Sequence, residues 1–313
     1  MTEQYREQEF DRPVQKVILI TNPGDGIGGE LALALAAYWH RQGTINLAAV
    51  VANQTPVGVR ASLAKATLEK LGVSDVPVYV GTNAMYAASP AENAELKSVP
   101  YVESQKLPPA LPAVRQLIAN EKENYTKNLV VVNMAGLTDL ALFMAAEKRS
   151  FPDTVSQVTL MGGYALSGGK ISFDEDGYLM PDSSKNNAHD PEAAQNAYAM
   201  IGERGIPVRF VTPELGDQCK VSESFKAELT KIGCPVTMRF AEALENSANE
   251  TCLWGALTLF ASASQLREKL RSHDLVCVDT LVHSLFEPST KVVCNDLEPV
   301  LAFLESEILQ ALR

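Results

Sequence analysis

ILITNPGDGIGGELALAL (18–35) places an apolar run, a polar glycine turn and a second apolar stretch in immediate succession. Val17, Ile18 and Ile20 favour an extended strand, and an unbroken apolar run suits a strand buried on both faces of a parallel sheet. Residues 31–40 continue at helical spacing. The same unit recurs outward from this point. NLAAVVA (46–52), NLVVVN (128–133), VSQVTLMGG (155–163) and IPVRFVT (206–212) read as further strands, with helical stretches at 57–71, 112–122, 137–148 and 191–204. This alternation predicts an α/β fold with a central, mainly parallel sheet and flanking helices. After Thr212 the pattern turns helical, at 222–232, 238–245, 252–271 and 297–312, so a helical C-terminal portion is expected.

The chain has 313 residues and a formal charge of −11. At roughly 150 residues per domain this length fits one large or two medium domains. The irregular stretches, 81–109 and 167–188, read as surface excursions rather than linkers. The expectation is therefore one domain over 1–313, with 1–14 as a polar N-terminal extension. An acidic chain lacks the basic footprint that nucleic-acid binding needs. The longest apolar run, 31–39, is too short for membrane insertion, and the N-terminus carries no secretory signal. Five cysteines (Cys219, Cys234, Cys252, Cys277, Cys294) form no CxxC pair and read as reduced thiols, which suits a cytoplasmic protein.

Four segments carry a resemblance: the stretch at 18–35, VVANQT (50–55), NLVVVNMAGLTDLAL with VTLMGG downstream, and NNAHDPEAA (186–194). Together and in this order they resemble the nucleoside hydrolases, metal-dependent N-ribohydrolases. That resemblance implies a nucleoside hydrolase-like fold and a pocket for a nucleoside, a nucleotide or a ribose-like small molecule. It also implies a calcium ion held by about six to eight oxygen ligands, several of them charged. In such a site a carboxylate deprotonates the bound water that attacks the sugar. Family members associate with copies of themselves, so a homo-oligomer or a protein complex is implied as well.

Carried over residue by residue, the metal site loses its charges. The positions of the first two family aspartates are taken by Ile20 and Asn22. The following acidic pair aligns with Gly28 and Gly29, or with Gly29 and Glu30. The threonine that offers a carbonyl to the metal becomes Met134, and the late HDP motif becomes Val278, Asp279 and Thr280. Asp279 alone of that motif keeps a carboxylate, and Asn186 keeps a sugar-contact position. No metal is expected to be bound, and the calcium of the family is expected to be lost.

Other features admit a plain alternative. Asp190-Pro191-Glu192 reads as a helix start, with Asp as N-cap and Pro in the first turn. His189 reads as a solvated loop histidine, and His283 as a half-buried residue of an apolar helix. GDGIGG (24–29) fits G-x-G-x-x-G between strand and helix, but VVANQT lacks the acidic residue a dinucleotide fold requires. Asn22, Asn53, Asn133 and Asn186 fall at strand ends or in loops, where they suit either a neutral polar pocket or turn chemistry. The candidate ligand-binding residues are thus Asn22, Asp25, Asn53, Asn133, Met134, Asn186 and Asp279. Three functions remain open. One is a non-catalytic binding or structural subunit. The second is a rebuilt N-glycoside hydrolase using Asp25, Glu30 or Asp279. The third is a nucleotide- or phosphate-binding protein using the Gly24–Gly29 turn.

Overall fold

The computed structural model describes residues 14–83, 96, 99, 102–246, 253–263, 275–279, 289–294 and 297–313. Residues 1–13, the tail of the expected 252–271 helix beyond residue 263, Thr280 and His283 lie outside the described residues.

Strand and helix alternate through the first two thirds. β1 (Lys16–Thr21) leads to α1 (Ile27–Arg41), and β2 (Asn46–Ala52) to α2 (Val57–Lys70). β3 (Val78–Val80) precedes α3 (Ala110–Glu123), and β4 (Leu129–Asn133) precedes α4 (Thr138–Ala146) and α5 (Ser150–Thr154). β5 (Val155–Met161) continues through a ribbon of β6 (Leu166–Ser167) and β7 (Lys170–Ile171). Then come α6 (Lys185–Ala188), α7 (Pro191–Glu203) and β8 (Val208–Val211). The remainder is α8 (Pro213–Gly216), α9 (Glu223–Ile232), α10 (Pro235–Asn246), α11 (Trp254–Ser262), β9 (Leu275–Asp279), β10 (Ser289–Cys294) and α12 (Glu298–Leu312).

Eight of these strands form one sheet, in the order β3-β2-β1-β4-β5-β8-β10-β9. All neighbours are parallel except β9, which runs antiparallel to β10 at the edge. Alternation along β1 explains the layering. Val17 and Leu19 point into one core with α1, α2, α11 and α12, while Ile18 and Ile20 point into a second with α3, α4 and α7. Both faces are covered, so the central strands need apolar residues at every position.

α1 is buried on almost every side, from Ile27 through Trp39. Its alanines let neighbours approach closely, and each fully buried leucine there contributes roughly 1.5–3 kcal/mol. Among the described residues, no helix is long and apolar enough to cross a membrane.

Candidate functional site

In a parallel sheet, ligands bind at the carboxyl ends of the strands. Here those ends are made by Asn22 after β1, Asn53 and Gln54 after β2, and Asn133 closing β4. The turn between β1 and α1 is the centre of the arrangement. Gly24 and Gly26 adopt φ of 80° and 85°, conformations that side-chain-bearing residues rarely take. Leu96 packs over this turn so closely that a Cβ on Gly24 would stand 2.2 Å from its Cδ2.

Asp25 projects from the turn with its side chain 2% exposed. Its carboxylate accepts from Asn22 Nδ2 at 2.8 Å and from Lys185 Nζ at 2.9 Å. His189 Nε2 lies 3.6 Å from Asp25 Oδ2, within ion-pairing range but beyond a hydrogen bond. Burial would raise the Asp25 carboxyl, yet His189, Lys185 and Arg60 together outweigh it and hold the group below its ordinary value. The reading of His189 as a solvated loop residue is corrected, for it is 8% exposed and turned toward Asp25. Asp190 does cap α7, accepting from Ala193 N at 3.1 Å with Pro191 in the first turn.

Gln54 and Arg60 were not marked by sequence reasoning. Gln54 holds φ at 70°, and its Oε1 accepts from Asn22 Nδ2 at 2.7 Å. Its backbone N donates to Thr82 O at 3.0 Å, and Thr82 is held in turn by Asp139 through its N–H and hydroxyl. Burial is the main influence on Asp139 and pushes its carboxyl up, although Thr82 and Asn53 oppose the rise. Arg60 reaches under the turn from α2 and donates to the carbonyls of Pro23, at 2.9 Å, and Thr55.

The other predicted asparagines serve loops. Asn53 Nδ2 donates to Gly136 O, Asn133 Nδ2 to Ala135 O and Asn186 Nδ2 to Met161 O. Turn chemistry therefore accounts for their nitrogens, while Asn53 Oδ1 and Asn133 Oδ1 remain buried without a hydrogen-bond partner. Met134 is 2% exposed and its side chain belongs to the apolar core. Asp279 is not brought to the others. It ends the edge strand β9, with β4, β5, β8 and β10 between it and β1. Its pairing with Thr290, near the start of β10, sets it toward the amino ends of the parallel strands, away from Asn22 and Asp25. The motif order in the sequence gave no warning of that register.

The sequence pattern of the inosine-uridine preferring nucleoside hydrolases matches residues 18–299. The chain belongs to this nucleoside hydrolase family. An uncharacterized protein of Schizosaccharomyces pombe, C1683.06c, is 27% identical over 220 residues, or 66% of this chain and 64% of that protein's length. Among solved structures, the type III effector XopQ complexed with adenosine diphosphate ribose superposes with a TM-score of 0.81 at 20% identity, covering 96% of this chain and 95% of XopQ. The purine-preferring ribonucleoside hydrolase of Gardnerella vaginalis gives a TM-score of 0.69 at 17% identity, covering 95% and 99%. The inosine-uridine preferring enzyme of Bacillus anthracis gives 0.66 at 17%, covering 96% and 99%. Identities this low show the shared fold alone.

Whether this member of the nucleoside hydrolase family suits the calcium its resemblance implies is decided by the donor set. Ile20, in place of an aspartate, lies in the core at 0% exposure. Asn22 turns its amide nitrogen, a donor, toward Asp25. The ammonium of Lys185 already stands 2.9 Å from the Asp25 carboxylate, so a divalent cation would enter beside a like charge. Glu30 is engaged by Arg239. Among the described residues, no three His, Cys, Asp or Glu side chains come together as a metal site would require. The donor set formed by these described residues does not fit calcium.

Proposed function

We propose that this nucleoside hydrolase-fold protein binds a ribose-containing small molecule without calcium-dependent N-ribohydrolase activity. One observation carries the reading: the Lys185 ammonium sits on Asp25, in the turn where the family places carboxylates around a metal. Hydrolysis by the family route needs a metal to acidify water and an adjacent carboxylate to take the proton. An Asp25 held below its ordinary value is a weak base for that purpose. Support for the ligand class comes from the fold relatives, which include ribonucleoside hydrolases and an effector holding adenosine diphosphate ribose, all with ribose in common. The test is calorimetric titration with calcium, paired with a nucleoside-hydrolysis assay on the same sample. Absence of a calcium isotherm and of turnover is expected, with ribose-containing compounds raising the melting temperature. A tight calcium site with turnover would replace this reading.

A second reading is favoured by His189 alone, whose ring stands next to Asp25 as a potential acid beside a base. It is a metal-independent N-glycoside hydrolase. Turnover that survives a chelator and is lost in His189→Ala would establish it in place of pure binding.

A further inference from the structure

We propose that the turn at residues 22–26 is a seat for a phosphoryl group, so that the ligand is a phosphorylated ribose derivative rather than a free nucleoside. The inference rests on the ribose-binding reading above and adds an anionic group to it. Buried donors without partners carry it first. Gln54 is 1% exposed, and while its Oε1 is taken by Asn22, its Nε2 has no hydrogen-bond partner. The orientation is forced. The Asp25 carboxylate requires the nitrogen of Asn22, and that nitrogen in turn requires the oxygen of Gln54. The donor end of Gln54 is therefore left over beside the turn. His189 Nε2 is likewise buried without a hydrogen-bond partner, 3.6 Å from Asp25 Oδ2, the carboxylate oxygen that Asn22 also holds. Buried polar nitrogens left unmet are costly, so an acceptor-rich group beside this turn is favoured.

The helix start is the second, independent feature. Gly26 is the N-cap of α1 and offers no side-chain cap, so the first N–H groups of the helix and the positive end of its dipole meet this turn. The acid of its first turn, Glu30, accepts from Gly24 N, and its charge is matched by the Arg239 guanidinium. Gly28 and Gly29 put no side chain in the way. Lys185, with its side chain 39% exposed, brings a charge that can follow an incoming anion.

Asp25 is the group that opposes this. Its carboxylate already draws on Asn22 and Lys185, so it acts as the resident counter-ion that a phosphoryl group must share with or displace. That gives two substitutions of opposite sign. Asp25→Asn removes the competing charge and tightens phosphoryl binding. Lys185→Gln weakens it.

Calorimetry on the full chain with ribose 5-phosphate, ribose and inorganic phosphate tests the idea. Ribose 5-phosphate is expected to bind more tightly than either of the others, with affinity falling as salt is added. Asp25→Asn should improve it about tenfold, and Lys185→Gln and Gln54→Leu should each weaken it about tenfold, the scale of one charge-assisted hydrogen bond. Lys185→Arg keeps the charge and should retain binding, and the unliganded melting temperature of every variant separates loss of site from loss of fold. Ribose and ribose 5-phosphate binding alike, or Asp25→Asn and Lys185→Gln shifting affinity in the same direction, would overturn the inference while leaving the ribose-binding reading intact. Inorganic phosphate binding as tightly as the sugar phosphate would also overturn it. Calcium-dependent turnover would instead remove the reading on which it rests.

Discussion

The carboxylate of Glu30 and the guanidinium of Arg239, 209 positions apart, meet as a two-pronged ion pair sealed between α1 and α10. Their side chains are 0% and 8% exposed. Glu30 also accepts from Gly24 N at 3.2 Å, so the pair braces the turn that carries Asp25. Removing one partner leaves a buried charge uncompensated, and Arg239→Met or Glu30→Leu is expected to cost about 3–5 kcal/mol. The double variant should recover much of that loss, because two apolar side chains leave no stranded charge. Urea denaturation of the two singles and the double measures the coupling. A single-variant cost under about 1 kcal/mol would mean that the pair is effectively solvated.

Asp139 should behave oppositely to an ordinary surface carboxylate. Burial raises its carboxyl, against the opposing hydrogen bonds of Thr82 and Asn53. A carboxyl raised on folding holds its proton more tightly in the folded chain. Its contribution to stability is full below the ordinary carboxylate range and is lost as pH rises through the folded value. Asp139→Asn keeps an acceptor for Thr82 N and removes the buried charge. Its melting temperature should exceed the parent's by a few degrees at neutral pH, with the gap closing in acid. A gap that widens in acid would show the sign to be wrong.

For Asp25 the sign reverses. Its carboxyl is lowered, since the ion pairs and hydrogen bonds outweigh burial. Its contribution is therefore present above the ordinary carboxylate range and lost as pH falls through the folded value. Asp25→Asn is expected to lower stability at neutral pH, by about 1 kcal/mol at most because solvent reaches Lys185. Melting curves over a pH series should show parent and variant converging in acid. Convergence on the alkaline side instead would contradict the assignment.

Much of the sheet was legible because β1, β2 and β4 are covered on both faces and so read as near-continuous apolar runs, while β5 and β8 keep most of their positions apolar. β3 has only three residues, too short for a period to separate strand from helix. The site was legible only where a residue type announces its role. Glycines at 24 and 26 and the Asp190-Pro191 cap did so. Lys185, Arg60 and Arg239 did not, because any one of 27 basic residues looks like surface until the fold brings it against a carboxylate. Gln54 takes a left-handed conformation that its residue type does not favour, so nothing in its identity pointed to the turn. Asp279 erred the other way, as motif order suggested a place that strand register denies.

The last expectation concerns how α1 is held against α11. A Cβ placed on Gly255 would stand 2.6 Å from Gly28 O and 3.0 Å from Gly28 C, both backbone atoms of the first turn of α1. No rotamer change relieves such a clash, so one helix must move. Moving α1 displaces the start of the helix on which Glu30 and the turn at 22–26 depend. Gly255→Ala is expected to cost about 1–3 kcal/mol, the range for overpacking a filled core. Gly58 is the control: it lies in the first turn of α2, and an added Cβ meets nothing within 4 Å. Gly58→Ala should stabilise by roughly 0.4–1 kcal/mol, because the unfolded chain loses conformational freedom while the folded one loses nothing. Chemical denaturation of both variants reads the two effects directly. If Gly255→Ala were as harmless as Gly58→Ala, α1 would not be fixed by its contact with α11, and the position of the Asp25 turn would need another cause.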